Sequence, residues 1–75
     1  MPRTPRKSRK LQFGNRLRQL RKVRGLSQEK LADRSQLDRS YVGGVERGER
    51  NPSLEIICRI ADALGVTPSE LMDFE

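Results

Sequence analysis

Few of these 75 residues carry side chains equipped for covalent chemistry. Cys58 is the only cysteine and histidine is absent, so the chain has no Cys/His nucleophile pair and no ligand set for zinc. Nothing near Cys58 in sequence would lower its pKa, and its apolar helical setting makes it a packing residue. The carboxylates fall at helix caps or on helix faces, which leaves no acid/base pair for an enzyme, and no cofactor is expected. The abundant chemistry is positive charge. Sixteen Lys and Arg outnumber ten Asp and Glu, for a net charge of +6, and residues 1–50 hold fifteen of the basic residues but only five of the acidic ones. One end of the molecule is suited to a polyanion.

The elements that would position these charges follow from periodicity and caps. Residues 1–10, MPRTPRKSRK, hold five basic residues and two prolines with no apolar side chain beyond Met1 to anchor them. They read as a disordered basic arm, either an electrostatic tail for DNA or a solubilising end. From Leu11 to Arg24, Phe13, Leu17 and Leu20 recur at helical spacing, with basic residues, Arg21 among them, over the remaining surface. Gly25 ends that helix, and Leu26 stands before the Ser27 cap of a second helix, Gln28 to Ser35, which buries Leu31 and Ala32. After Gln36-Leu37, Asp38 caps a third helix from Arg39 that buries Val42 and Val45. Its interior pair Gly43-Gly44 costs about 1 kcal/mol per glycine relative to alanine. Two readings stay open: close backbone approach to a ligand, or a loosely formed helix end.

Gly48 closes the third helix, and a polar connection leads to Ser53, the cap of a fourth helix. Leu54, Ile57, Ile60, Ala61 and Leu64 form its apolar face, from which most of the core is expected, and Gly65 ends it. Val66, Thr67, Pro68 and Glu70 supply a staple residue, a cap, a first-turn proline and a capping-box glutamate for a fifth helix from Pro68 to about Asp73. Leu71, Met72 and Phe74 then lie at the end of a nearly complete core and read as a dimer surface or, alternatively, as tail packing. With 33% hydrophobic residues and three aromatics, one small domain is expected. No apolar run approaches the roughly 20 residues of a membrane span, and a soluble cytoplasmic protein is expected.

Ser27 to Glu46 is therefore a helix-turn-helix, and from Gly14 to Leu71 the chain resembles the five-helix, lambda-repressor-like DNA-binding domain of the Cro and repressor (XRE-like) family. The resemblance rests on RLRQLRKVRGLSQEKLA, YVGGVERGERNPSLE and IADALGVTPSEL. Within the family, LDRSYVGGVERGERN is most similar to controller proteins of restriction-modification genes. The resemblance implies an all-α fold for residues 11–75, with a C-terminal dimerisation helix and double-stranded DNA as partner. It implies phosphate contacts for Ser27 and Gln28 at the start of the second helix, where backbone amides and the helix dipole favour an anion. It implies that Arg39, Ser40 and Tyr41 face the major groove, with Arg39 the main base reader through guanine O6 and N7, or else a phosphate contact; Ser40 is a weaker reader or a phosphate donor, and Tyr41 either meets DNA or packs into the core.

Side chains at the positions of Gly43 and Gly44 often touch bases in relatives; here those residues offer only backbone, which shifts the reading to Arg39 and Arg47. Arg50 and Asn51 correspond to the family's backbone-clamping loop. Arg21 and Glu46, solvated charges by spacing alone, correspond to an ion pair tying the first helix to the third. Gln36 departs from the family, which usually has glycine at that turn, and a positive φ there would cost of order 1 kcal/mol. The implied function is a homodimeric transcriptional regulator with no small-molecule effector, on a pseudo-palindromic operator whose half-sites lie roughly 34 Å apart. Two alternatives remain at this stage: an antitoxin or adaptor that binds another protein, and a non-specific DNA-binding protein.

Overall fold

The computed structural model describes residues 8–74. Most of the basic arm lies outside the described residues, but its end does not form an arm: Ser8 Oγ accepts the Leu11 N–H, and α1 runs Arg9–Val23, two residues earlier than hydrophobic spacing alone suggests. The apolar pattern begins at Leu11, and the cap sits outside it. α2 spans Gln28–Ser35, with Ser27 Oγ accepting from the Lys30 N–H. α3 spans Arg39–Glu46. Asp38 occupies its N-cap position without a side-chain cap bond, and only its carbonyl engages, accepting from the N–H groups of Tyr41 and Val42. α4 is Leu54–Leu64, capped by Ser53, and α5 is Pro68–Leu71 with a complete Thr67/Glu70 capping box.

The helices close into a ring in which α1 packs on α3 and α5, α2 packs on α3 and α4, and α4 packs on α5. Each contributes to the shared core: Phe13 and Leu17, Leu31 and Ala32, Val42 and Val45, then Ile60, Ala61 and Leu64, and finally Leu71. The expected dominance of α4 is thus corrected. Leu54, at the first position of α4, is 74% exposed, and Ile57 is only half-buried.

Leu71 also requires correction. It is fully buried in the monomer, because α5 ends after one turn with that side chain directed into the core. Phe74 folds back edge-on to Phe13, with ring centroids 6.3 Å apart, and only Met72 of the three expected interface residues is openly exposed.

Four helix ends share one hydrogen-bond pattern around a residue of left-handed conformation. At α1, Gly25 N–H reaches the Lys22 carbonyl and Leu26 N–H reaches that of Arg21. The equivalent pairs form around Gly48 after α3 and Gly65 after α4. At α2 the left-handed residue is Gln36, with φ 60°, so the cost anticipated for that departure is present in the fold. Between α1 and α3, Gly14 lets the backbones touch: a Cβ there would lie 2.6 Å from the Glu46 carbonyl oxygen. A glycine inside a helix pattern was the available signal for this crossing.

Candidate nucleic-acid interface

α3 presents its first turn outward. Arg39 and Ser40 are exposed, Tyr41 is half-buried against the core, and Arg39 forms no ion pair among the described residues. Val42 and Val45 point into the core, away from Ser40, so rotation of the helix is fixed by burial of two β-branched side chains.

The C-terminal end of α3 is fixed by Glu46, which is 1% exposed. Arg21 grips its carboxylate with two hydrogen bonds, Nε to Oε2 at 2.6 Å and Nη2 to Oε1 at 3.0 Å, while Nη1 donates to the Leu26 carbonyl at 2.9 Å. Gln28 Nε2 adds a bond of 3.0 Å to Glu46 Oε1, and Arg18 approaches the same oxygen at 3.5 Å. Burial raises the carboxyl pKa, but the bonds from Arg21, Gln28 and Arg18 outweigh it and leave Glu46 below its ordinary value. The bond to Glu46 likewise raises the Arg21 pKa. One carboxylate therefore joins α1, α2 and α3, and Arg21, far from being solvated, is buried with it.

Gln28 sits at the first position of α2, and its amide is oriented by Glu46 rather than free in solvent. Ser27, beside it, is exposed, with its hydroxyl on the Lys30 N–H. Gly43 and Gly44 are both buried, and α3 continues regularly through them to Glu46, which removes the reading of a loose helix end. Their surface is covered by arginines. A Cβ on Gly43 would stand 3.0 Å from Arg47 Nη1, and one on Gly44 would stand 3.0 Å from Arg50 Cγ. Arg50 also places its guanidinium carbon 5.8 Å from the centroid of the Tyr41 ring. Arg47 pairs with Glu49 through bonds of 3.0 and 3.2 Å, an exposed contact that raises the arginine pKa and lowers the glutamate pKa. Asn51 is exposed in the following loop.

The structure thus gathers Arg39, Ser40, Tyr41, Arg47, Arg50 and Asn51 along α3 and the loop after it, with Ser27 and Gln28 at the start of α2. Arg59 was not anticipated. It reaches from α4 to the carbonyls of Ser35 and Gln36, and the available signal was its position as the only basic residue beyond Arg50. Among the described residues no group of His, Cys, Asp and Glu is arranged to hold a metal ion, and no helix is long and apolar enough to cross a membrane.

The family described as "Helix-turn-helix" matches residues 17–71. The chain belongs to the helix-turn-helix family. Control protein C.BamHI from Bacillus amyloliquefaciens is 48% identical to this helix-turn-helix chain over 66 residues, covering 87% of it and 82% of the relative. The crystal structure of the restriction-modification controller protein C.AhdI from Aeromonas hydrophila superposes with a TM-score of 0.82 at 61% identity, covering 83% of this chain and 94% of that one. The controller protein C.Esp1396I, solved as a tetramer in complex with its natural 35 base-pair operator, gives a TM-score of 0.76 at 31% identity over 83% of this chain and 82% of that one.

Proposed function

We propose that the chain is a sequence-specific DNA-binding regulator of transcription that acts as a homodimer on a pseudo-palindromic operator and controls its own or a neighbouring promoter. The observation that carries this reading is the exposed first turn of α3, Arg39-Ser40-Tyr41, on a helix whose other face and far end are locked by Val42, Val45 and the Glu46 network. A rigid helix with an exposed N-terminal turn is what major-groove reading requires. The likeness to a controller protein held on its operator supports the same assignment.

In this reading Arg39 is the main base contact, with Ser40, Tyr41 and Arg47 beside it. Ser27, Gln28, Arg50 and Asn51 meet the backbone, whereas Gly43 and Gly44, buried beneath Arg47 and Arg50, do not touch it themselves but leave room for those two side chains. The Arg47–Glu49 pair opens on binding, and Arg47 exchanges a carboxylate for DNA. Met72 and the rim of Phe74 form part of the dimer surface, and Leu71 supports it from within the core. A role in a restriction-modification system follows the likeness to C.BamHI and C.AhdI.

Footprinting on the DNA upstream of the chain's own gene tests the proposal. A protected site with two related half-sites about 34 Å apart is expected. Binding to random DNA as tight as to that region would overturn it in favour of a non-specific DNA-binding protein, a reading that the absence of side chains at Gly43 and Gly44 favours.

A further inference from the structure

Three of the four matching helix ends solve the same problem with glycine, and the fourth does not. Gly25, Gly48 and Gly65 take up left-handed φ values of 70°, 78° and 71°, which glycine tolerates without steric cost. Gln36, in the turn between α2 and α3, holds φ 60° with a Cβ that disfavours it. Its two turn hydrogen bonds, Gln36 N–H to the Asp33 carbonyl at 3.2 Å and Leu37 N–H to the Ala32 carbonyl at 2.9 Å, resemble those at the glycine ends.

The α1 and α4 ends each have one arginine contact, Arg21 Nη1 to the Leu26 carbonyl at 2.9 Å and Arg24 Nη2 to the Gly65 carbonyl at 3.5 Å, whereas the α2 end is held by a three-bond fork from Arg59. Its Nε and Nη2 donate to the Ser35 carbonyl at 3.1 and 2.9 Å, and Nη2 also donates to the Gln36 carbonyl at 2.7 Å. Neither carbonyl accepts a backbone N–H among the described turn contacts, so the guanidinium satisfies both. Its charge also complements the negative end of the α2 dipole. The fork spans two consecutive peptide units, and rotation about Gln36 would separate them.

We infer that Arg59 is a positioning residue for DNA reading: from α4 it holds the left-handed turn at Gln36 and so sets the direction of α3 relative to α2. The inference rests on the proposal that α3 reads DNA while the start of α2 grips phosphate. The eight residues of α2 span about 12 Å, so a swing of about 10° at the turn would move Gln28 relative to Arg39 by about 2 Å, well beyond the roughly 0.5 Å tolerance of a preorganised site.

Two measurements test it on the full chain. The first is amide hydrogen exchange by NMR, which needs no DNA. Arg59→Met is expected to speed exchange at Gln36 and Leu37 by about tenfold more than at Gly25, Leu26, Gly65 and Val66. Uniform acceleration at all these ends, or none, would overturn the clamp. The second compares binding to a duplex selected by the wild-type chain from a random pool with binding to a scrambled duplex. Arg59→Met is expected to reduce the ratio of the two affinities by about tenfold, and adding Gln36→Gly to that variant is expected to restore most of it. An unchanged ratio, or an equal loss on both duplexes, would contradict the positioning role. A wild-type chain that selects no sequence would refute the DNA-reading proposal and the positioning role with it, while the exchange result would still decide whether Arg59 clamps the turn.

Discussion

α3 ends between two arginine–glutamate pairs of similar composition and opposite circumstance. Arg21–Glu46 joins α1 to α3 with side chains 11% and 0% exposed, whereas Arg47–Glu49 lies two residues apart in sequence with side chains 56% and 58% exposed. The first pair has lost its water, and only the additional donors from Gln28 and Arg18, with the Leu26 carbonyl for Arg21, make the burial tolerable. The second remains hydrated and can be exchanged for another anion at little cost. Burial thus gives one pair a structural role and leaves the other available for binding, within a few residues of the same helix.

Breaking the buried pair is expected to have the largest effect. Glu46→Ala strands the Arg21 guanidinium among α1, α2 and α3, at a cost of about 3 kcal/mol. In a domain of this size that lowers the melting temperature by about 15 °C. A melting temperature unchanged by the substitution would remove the pair from the account.

Acid tests the same pair more gently. The folded-state pKa of Glu46 lies below its ordinary value, so its contribution to stability is complete above the unfolded-state pKa and is lost as pH falls through the lower folded value. Glu46→Gln cannot titrate. Denaturation curves of wild type and Glu46→Gln are therefore expected to differ at neutral pH and to converge as pH falls below the ordinary carboxyl range. A gap that persists in acid would show that the charge on Glu46 is not what stabilises the fold.

The exposed pair should respond least in stability and visibly in binding. Glu49→Gln is expected to leave the melting temperature unchanged while freeing Arg47, so that affinity for duplex DNA rises at low salt and the gain fades as salt is added. A large loss of stability, or weaker DNA binding, would contradict the contrast between the two pairs.

The outline of this fold was legible because helix ends are governed by local chemistry. Ser27, Ser53 and Thr67 cap as their types require, Gly25, Gly48 and Gly65 stop helices, and the capping box at α5 forms in full. Long-range partners were less so. Periodicity marks Arg21 as a surface charge, and only the family resemblance identified Glu46 as its partner, because the bond joins residues 25 positions apart. Arg59 and Gly14 depend on helix crossings that single-helix patterns do not encode. Composition does not decide between the two readings of Leu71, because a C-terminal apolar cluster looks the same whether it closes its own core or a partner's, and it is buried in its own core here. Of the candidate interface, the exposure of Ser40 is legible from the burial of Val42 and Val45 on the other side of α3, whereas Arg39, three residues before Val42, is placed outward only by the family resemblance, and the draping of Arg47 and Arg50 over Gly43 and Gly44 is not legible at all.

Reading of DNA by α3 through Arg39 is checked by selecting bound sequences from a random duplex pool with the wild-type chain and with Arg39→Ala. The wild type should recover a two-part site, and the variant should lose its preference at one guanine in each half-site, a discrimination of about 1 to 3 kcal/mol, with the rest of the site intact. A uniform weakening that leaves every base preference in place would reduce Arg39 to a phosphate contact and contradict that role.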